Sequence, residues 1–327
     1  METVLDYGII IILWFQSLGS WLEYPMKIFS FLGSEEFYLL SLPVIYWSVN
    51  AGIGLRIGLI VLFSTSINDF FKLLLHGPRP YWYSTNVKAF ASETSFGVPS
   101  GHAQISTTLW GMAAAQIKRQ WAWVLASFIV LIIGLSRLYL AVHFPHDVLL
   151  GWVLGVLILW CFITMWDRVA AWAKSKSTAM QVGLAFTASM LLLLPGIMAY
   201  ITSNGWVMPA EWLTNASRAG GEAPNPFSLD TTITSAAVIF GMLAGLIWMN
   251  SKGGFATDGT TNQRILRLLP GLLGILVLYL GLKMFFPSGE SFIAYVFRYI
   301  RYAMVGLWIS FGAPWLFIKI KLASTTK

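Results

Sequence analysis

The stretch HDVLLGWVLGVLILWCFITMWD, residues 146–167, carries no charge between Asp147 and Asp167. A helix rising 1.5 Å per residue needs about 20 apolar residues to cross a hydrocarbon core of about 30 Å, so this run reads as a membrane-crossing helix. Similar runs recur at 36–50, 52–75, 101–117, 120–142, 179–201, 229–250, 265–286 and 291–318. Nine candidate spans result, of which 36–50 and 101–117 are short and extend into flanking residues. Residues 4–19 read as a further spanning or interfacial helix, and LEYPMKIFSFLGSEE (22–36) as an amphipathic helix lying at the surface. Composition agrees: 57% of the 327 residues are hydrophobic and 11% charged, against about 45–50% and about 25% in soluble domains. The mean hydropathy is +0.70. A soluble globular protein is excluded, and the fold class is all-α, a polytopic membrane bundle of about nine or ten helices.

Twenty-one Lys and Arg against 14 Asp and Glu read as loop charge that sets topology, not as a nucleic-acid surface. If the helices alternate sides, Lys118, Arg119, Arg168, Lys174, Lys176, Lys252, Arg264, Arg267, Lys319, Lys321 and Lys327 collect on one face. The opposite loops hold little beyond Lys88 and Arg218. The positive-inside rule makes the first face cytoplasmic and turns the loop 76–100, the turn near 143 and the loop 202–228 outward. The N-terminal METVLDYGIIIILWFQ has Glu2 and Asp6 but no Lys or Arg, unlike a cleavable signal peptide, and is expected to be retained. Cys161, the single cysteine, forms no intramolecular disulfide and reads as inert packing.

All four histidines, His76, His102, His143 and His146, fall within 71 residues. They sit in or beside three polar blocks: KLLLHGPRP (72–80), PSGH (99–102) and SRLYLAVHFPHD (136–147). The pattern Lys, six residues, Arg-Pro, then Pro-Ser-Gly-His, then Ser-Arg, five residues, His, three residues, Asp resembles the signature of the type 2 phosphatidic acid phosphatase superfamily, the lipid phosphate phosphatases. FLGSEEFYLLSLPVIYW (31–47) resembles the corresponding stretch of sphingosine-1-phosphate phosphatases. The additional C-terminal helices are similar to that branch and to the glucose-6-phosphatase branch. The resemblance implies a six-helix-type phosphatase core over 35–168, preceded by membrane or interfacial helices (1–34) and followed by C-terminal transmembrane helices with no assigned role (169–327).

The residues support the same chemistry on their own terms. Thirty-five residues separate His102 from Arg137, enough for two membrane crossings, so both end near one face, where Lys72 and Arg79 also lie. Guanidinium forms charge-assisted, often bidentate bonds to phosphate. PSGH reads as a helix start, with Pro99 and Ser100 near the cap, Gly101 allowing close approach and free N–H groups facing phosphate oxygens. Asp147, four residues after His143, is placed to bond one ring nitrogen and leave the other for phosphorus. By resemblance Lys72, Arg79, Pro80, Ser100, Gly101, Ser136 and Arg137 form the phosphate-binding set. His143 is then the nucleophile, Asp147 its orienting carboxylate, and His102 the acid and later the base. No metal or other cofactor is expected, and the histidines lack the clustered carboxylates of a dinuclear centre.

Other residues read more plainly. His76 and His146 lie outside the signature, as solvent-facing loop histidines. Tyr81 and Trp82 read as interface-belt aromatics, Asp69 as a partner for Lys72, and Arg298 with Arg301 as a headgroup site or structural ion pair. Asn215-Ala-Ser217 is a glycosylation sequon. The expected activity is dephosphorylation of a membrane lipid phosphate or diphosphate at the outer face of a bacterial inner membrane rather than an organelle membrane. The expected partners are that lipid and the bilayer, with no nucleic acid; a lipid phosphotransferase is the alternative and a non-catalytic transporter the more distant one.

Overall fold

The structure, a computed structural model, describes residues 2–326; Lys327, one of the cations expected on the cytoplasmic face, lies outside them. In chain order the helices are α1 (Glu2–Ser17), α2 (Glu23–Phe31), α3 (Glu35–Val44), α4 (Ala51–Leu75), α5 (Pro80–Tyr83), α6 (Gly101–Ile117), α7 (Gln120–Tyr139) and α8 (Pro145–Lys174). They continue as α9 (Thr178–Thr202), α10 (Ala210–Arg218), α11 (Asp230–Ser251), α12 (Thr261–Leu266), α13 (Leu268–Leu276), α14 (Leu282–Phe285), α15 (Phe292–Leu307) and α16 (Ala313–Lys319). No β-strand occurs among the described residues, so the expected all-α class holds.

Among the described residues, seven helices or helical runs are long and apolar enough to cross a membrane: 51–83, 120–139, 145–174, 178–202, 230–251, 261–285 and 292–319. Two of the nine expected spans fall short of that length. The 36–50 stretch is broken into α3, which contains Pro43, and a π turn at Ile45–Val49; a proline removes a helix donor and bends the backbone. The 101–117 stretch is a helix of 17 residues, stopped where Lys118 takes a left-handed conformation (φ 57°) and bonds back to Ala114. The two N-terminal segments form a pair bent by 90°. Cys161, expected to be packed, lies on an exposed face of α8.

The chain forms two compact units, each discontinuous in sequence. One comprises Met1–Tyr38, Ile67–Cys161 and Gly196–Ser228; the other comprises Leu39–Ser66, Phe162–Pro195 and Leu229–Lys327. The first unit's core is aromatic and β-branched, built on Ile9, Ile12, Tyr81, Trp82, Phe96, Tyr139, Val142 and Phe144. In the second, Tyr46, Trp47, Met242, Met249, Phe255 and Phe317 pack together. There Arg267, fully buried, is satisfied by backbone carbonyls of Trp47, Thr257, Asp258 and Leu322. Arg298 pairs with Asp230, which gives the structural ion pair of the two expected roles. Arg301 lies against the Tyr279 and Tyr302 rings, 5.7 and 5.1 Å from their centroids.

Candidate active site

Every block of the sequence pattern lies in the first unit. Ser100 caps α6 by accepting from the Ala103 N–H, and its own N–H donates to the Asp147 carbonyl at 3.0 Å. The PSGH turn is thereby tied to the start of α8. Asn68, near the end of α4, donates to the Pro99 carbonyl (3.3 Å) and to Gln104 Oε1 (2.9 Å). These bonds explain two glycines. A Cβ on Gly101 would sit 3.2 Å from Asn68 Oδ1, and one on Gly151 would sit 2.6 Å from the Ser100 carbonyl oxygen, so α6 and α8 meet backbone to backbone.

The ionisable site residues Arg79 (0 % exposed), Arg137 (3 %), His143 (1 %) and Asp147 (0 %) are buried, as are Pro80, Ser100 and Ser136. Pro80 opens α5, where its missing N–H costs nothing. Arg79, immediately before it, donates Nε to the Ser95 carbonyl (2.7 Å), one terminal nitrogen to Val142 (2.9 Å) and the other to Ser95 Oγ (3.1 Å) and Phe96 (3.2 Å). The nitrogen on Val142 is also 3.3 Å from His143 Nε2. Lys72 Nζ reaches the same Ser95 hydroxyl at 2.8 Å. Arg137 donates to Ser30 Oγ and, at 2.5 Å, to Glu93 Oε1. Its Nε is buried without a partner.

Asp147 Oδ2 accepts from the Phe144 N–H at 2.8 Å and lies 3.4 Å from His143 Nδ1, a charge contact short of hydrogen-bond alignment. Such contacts tighten when a substrate engages. His143 is thus held with Nδ1 toward a carboxylate and Nε2 toward a guanidinium. Burial pushes its imidazole well below the usual histidine range, and Arg79, Arg137, Lys72 and His102 push it the same way, so the ring is neutral. His102, on the first turn of α6, is half-buried within the same cluster of titratable groups as His143 and Glu93.

Ser136 stands apart from the set expected around it. Its hydroxyl donates to the Ile133 carbonyl at 2.7 Å, inside its own helix, where serine often bonds back. Tyr81 and Trp82 are fully buried and not interface-belt aromatics, because α5 packs against Trp212 and Ala216 of α10 and Tyr81 is bonded to the Glu93 backbone. His76, expected in solvent, stacks on Trp206 with ring centroids 4.9 Å apart, and its Nε2 is 2.7 Å from Ser203 Oγ. His146 is partly exposed, yet its Nε2 lies 3.1 Å from Asp147 Oδ1. The Asn215 amide donates to the Trp82 carbonyl at 3.0 Å, so the sequon's acceptor nitrogen is engaged inside the protein.

Glu93 went unread in the sequence. It is the one carboxylate between Arg79 and the PSGH turn, and that isolation among cations was the available signal. Burial alone would raise its pKa, but Arg79, Arg137, His102 and Lys72 hold it well below the usual carboxylate range. Among the described residues no group of three or more His, Cys, Asp or Glu side chains comes together to hold a metal ion.

A buried histidine facing an aspartate, with cations from two helices, Lys72 on α4 and Arg137 on α7, and from the connecting loop, Arg79, lies in a bundle of apolar helices, and the class it fits is a membrane phosphatase. The chain belongs to the PAP2 superfamily: residues 53–170 match the PAP2 family and residues 233–325 the PAP2 superfamily phosphatase transmembrane extension. It is similar to glucose-6-phosphatase 3 of Bos taurus, 27% identical over 97% of this chain and 96% of that protein, and to the Homo sapiens protein, 27% identical over 96% and 95%. These relatives come from one of the two branches that the C-terminal helices resemble. Among solved structures, the transmembrane PAP2 type phosphatidylglycerolphosphate phosphatase from Bacillus subtilis is 25% identical, covering 52% of this chain and 89% of its own, with a TM-score of 0.44.

Proposed function

We propose that the protein hydrolyses phosphate monoesters, without a metal ion, through a phosphohistidine formed on His143. The observation that carries this reading is His143 itself, with Nδ1 3.4 Å from the Asp147 carboxylate and Nε2 3.3 Å from the Arg79 guanidinium. Arg79, Arg137 and Lys72 take the phosphoryl oxygens, aided by the N–H groups opening α6. His143 Nε2 attacks phosphorus, forming the N–P bond as the ester P–O bond breaks, and His102 gives its proton to the leaving oxygen. Asp147 stabilises the positive ring. Water then attacks phosphorus, passing its proton to His102, and the N–P bond breaks to release inorganic phosphate. A nucleophile so prepared argues against a transporter, which needs the cations alone. The lopsided cation count favours an extracytoplasmic site.

A lipid phosphate or diphosphate, such as a sphingoid base phosphate, a polyprenyl phosphate or phosphatidate, suits a cationic pocket at the ends of apolar helices. A second reading, a small hydrophilic ester, is favoured by the near full-length match to proteins named glucose-6-phosphatase. Phosphate release by purified protein in detergent and EDTA, across these lipids and glucose-6-phosphate, separates the two. Release that disappears in His143→Ala, with an acid-labile phosphoenzyme trapped in the wild type, is the expected result. Release that survives His143→Ala overturns the mechanism; transfer of the phosphoryl group only to an added alcohol makes the protein a phosphotransferase.

A further inference from the structure

Glu93 presents an anion where the proposed mechanism needs one to enter. Its carboxylate lies 2.5 Å from Arg137 and 3.8 Å from Arg79, two of the three cations read as phosphate-binding. Both guanidiniums are buried, whereas the Glu93 side chain is 29% exposed. Its backbone is pinned on every side. The Glu93 N–H donates to the Tyr81 hydroxyl (2.9 Å), which in turn donates to the Glu93 carbonyl (2.8 Å). Next to it, Ser92 Oγ accepts from the Glu222 N–H (2.6 Å) and the Thr94 carbonyl from the Asn225 N–H (3.0 Å). Only the side chain, with its rotatable bonds and its access to water, is left to move.

A carboxylate and a phosphoryl group ask the same thing of Arg137. In a buried pocket two anions a few ångströms apart repel strongly, so both cannot hold that guanidinium at once. We propose that Glu93 is a positioning residue that competes with phosphate: its carboxylate orders Arg137 and Arg79, swings toward water when a phosphoryl group enters, and returns to expel inorganic phosphate after hydrolysis. The inference rests on the phosphate-binding roles proposed above and adds a product-release device to them. Between turnovers the same carboxylate keeps the buried guanidiniums compensated, which an unpaired charge would otherwise make costly.

The test is the inhibition constant of inorganic phosphate and of orthovanadate, measured with purified protein beside kcat and KM. In Glu93→Gln, which keeps the shape and removes the charge, both anions bind at least about tenfold more tightly, and kcat and KM fall together because release has slowed. Glu93→Asp keeps the charge on a shorter arm and tightens both by a smaller factor; it also serves if the glutamine variant does not fold. A merely structural glutamate predicts weaker or unchanged anion binding with lower kcat, and that pattern in folded protein overturns the proposal. If the wild type binds neither anion and releases phosphate from no ester, the reading of the site fails and this inference with it. If the wild type binds both and neither variant binds them more tightly, only the competition is refuted.

Discussion

Asp147→Asn isolates the charge of the carboxylate from its shape. Asparagine placed with its oxygen at the Oδ2 position still accepts from the Phe144 N–H, now at 2.8 Å, and still faces His143 Nδ1. Its NH2 falls at the Oδ1 position, 3.1 Å from His146 Nε2, where the carboxylate oxygen makes no hydrogen bond that the amide would lose. The local fold is therefore kept and the buried negative charge lost. At the 3.4 Å separation of His143 Nδ1 and Asp147 Oδ2, full charges at an effective dielectric of about 20 attract by about 5 kcal/mol. The ring is only partly charged in the transition state and the amide dipole replaces some of the field, leaving about 3–4 kcal/mol, or two to three decades in kcat. The assay is phosphate release at saturating substrate, with the thermal midpoint as a check on folding. A variant that folds and turns over within tenfold of wild type would refute the idea that Asp147 stabilises a charged imidazole.

The pH profile supplies a second prediction. In the proposed mechanism the neutral ring is the nucleophile, and burial and the neighbouring cations push the His143 pKa well below the usual histidine range, so kcat/KM is expected to persist as pH falls through about 6.5 and to drop only at lower pH; an acid limb centred at 6.5 or above contradicts this. Glu93 has a folded pKa below its unfolded one, so its stabilisation is complete above about pH 4.5 and is lost as pH falls beneath it, visible as a thermal midpoint that Glu93→Gln makes less pH-sensitive there. Gly151→Ala places a Cβ 2.6 Å from the Ser100 carbonyl oxygen, costing about 1–3 kcal/mol and pushing Asp147 away from the PSGH turn; an unchanged thermal midpoint and kcat would count against the close α6–α8 contact. Expressed in a glycosylating host, the protein gains no glycan at Asn215, whose amide holds the Trp82 carbonyl; a mobility shift on deglycosylation that Asn215→Gln abolishes would show otherwise.

The membrane class was legible because hydropathy over about 20 residues is a local property, and the site was legible because its residues stand in fixed blocks. What stayed hidden depends on contacts between segments far apart in the chain. Tyr81 and Trp82 have the composition of an interfacial belt, and only the packing of α5 against α10 buries them. His76 looks like a loop histidine until Trp206, 130 positions later, stacks on it. Ser136 occupies a signature position, but the local option of bonding Ile133 leaves no trace in spacing. Glu93 carries no motif at all; its meaning lies in the guanidinium that faces it.

The interleaving of the two units bears on how the protein is made. The unit holding His143 is finished by Gly196–Ser228, which supplies Trp206 and Ser203 to His76, the Glu222 and Asn225 N–H groups to the segment around Glu93, and Asn215 to Trp82. A ribosome working at about 5–20 residues per second delivers His143 several seconds before that segment. Through this interval the nascent chain holds every residue of the signature but not the segment that packs on His76, Trp82 and the backbone beside Glu93. A chain cut after α8 would be left permanently in that state, its first unit lacking the segment from Gly196 to Ser228.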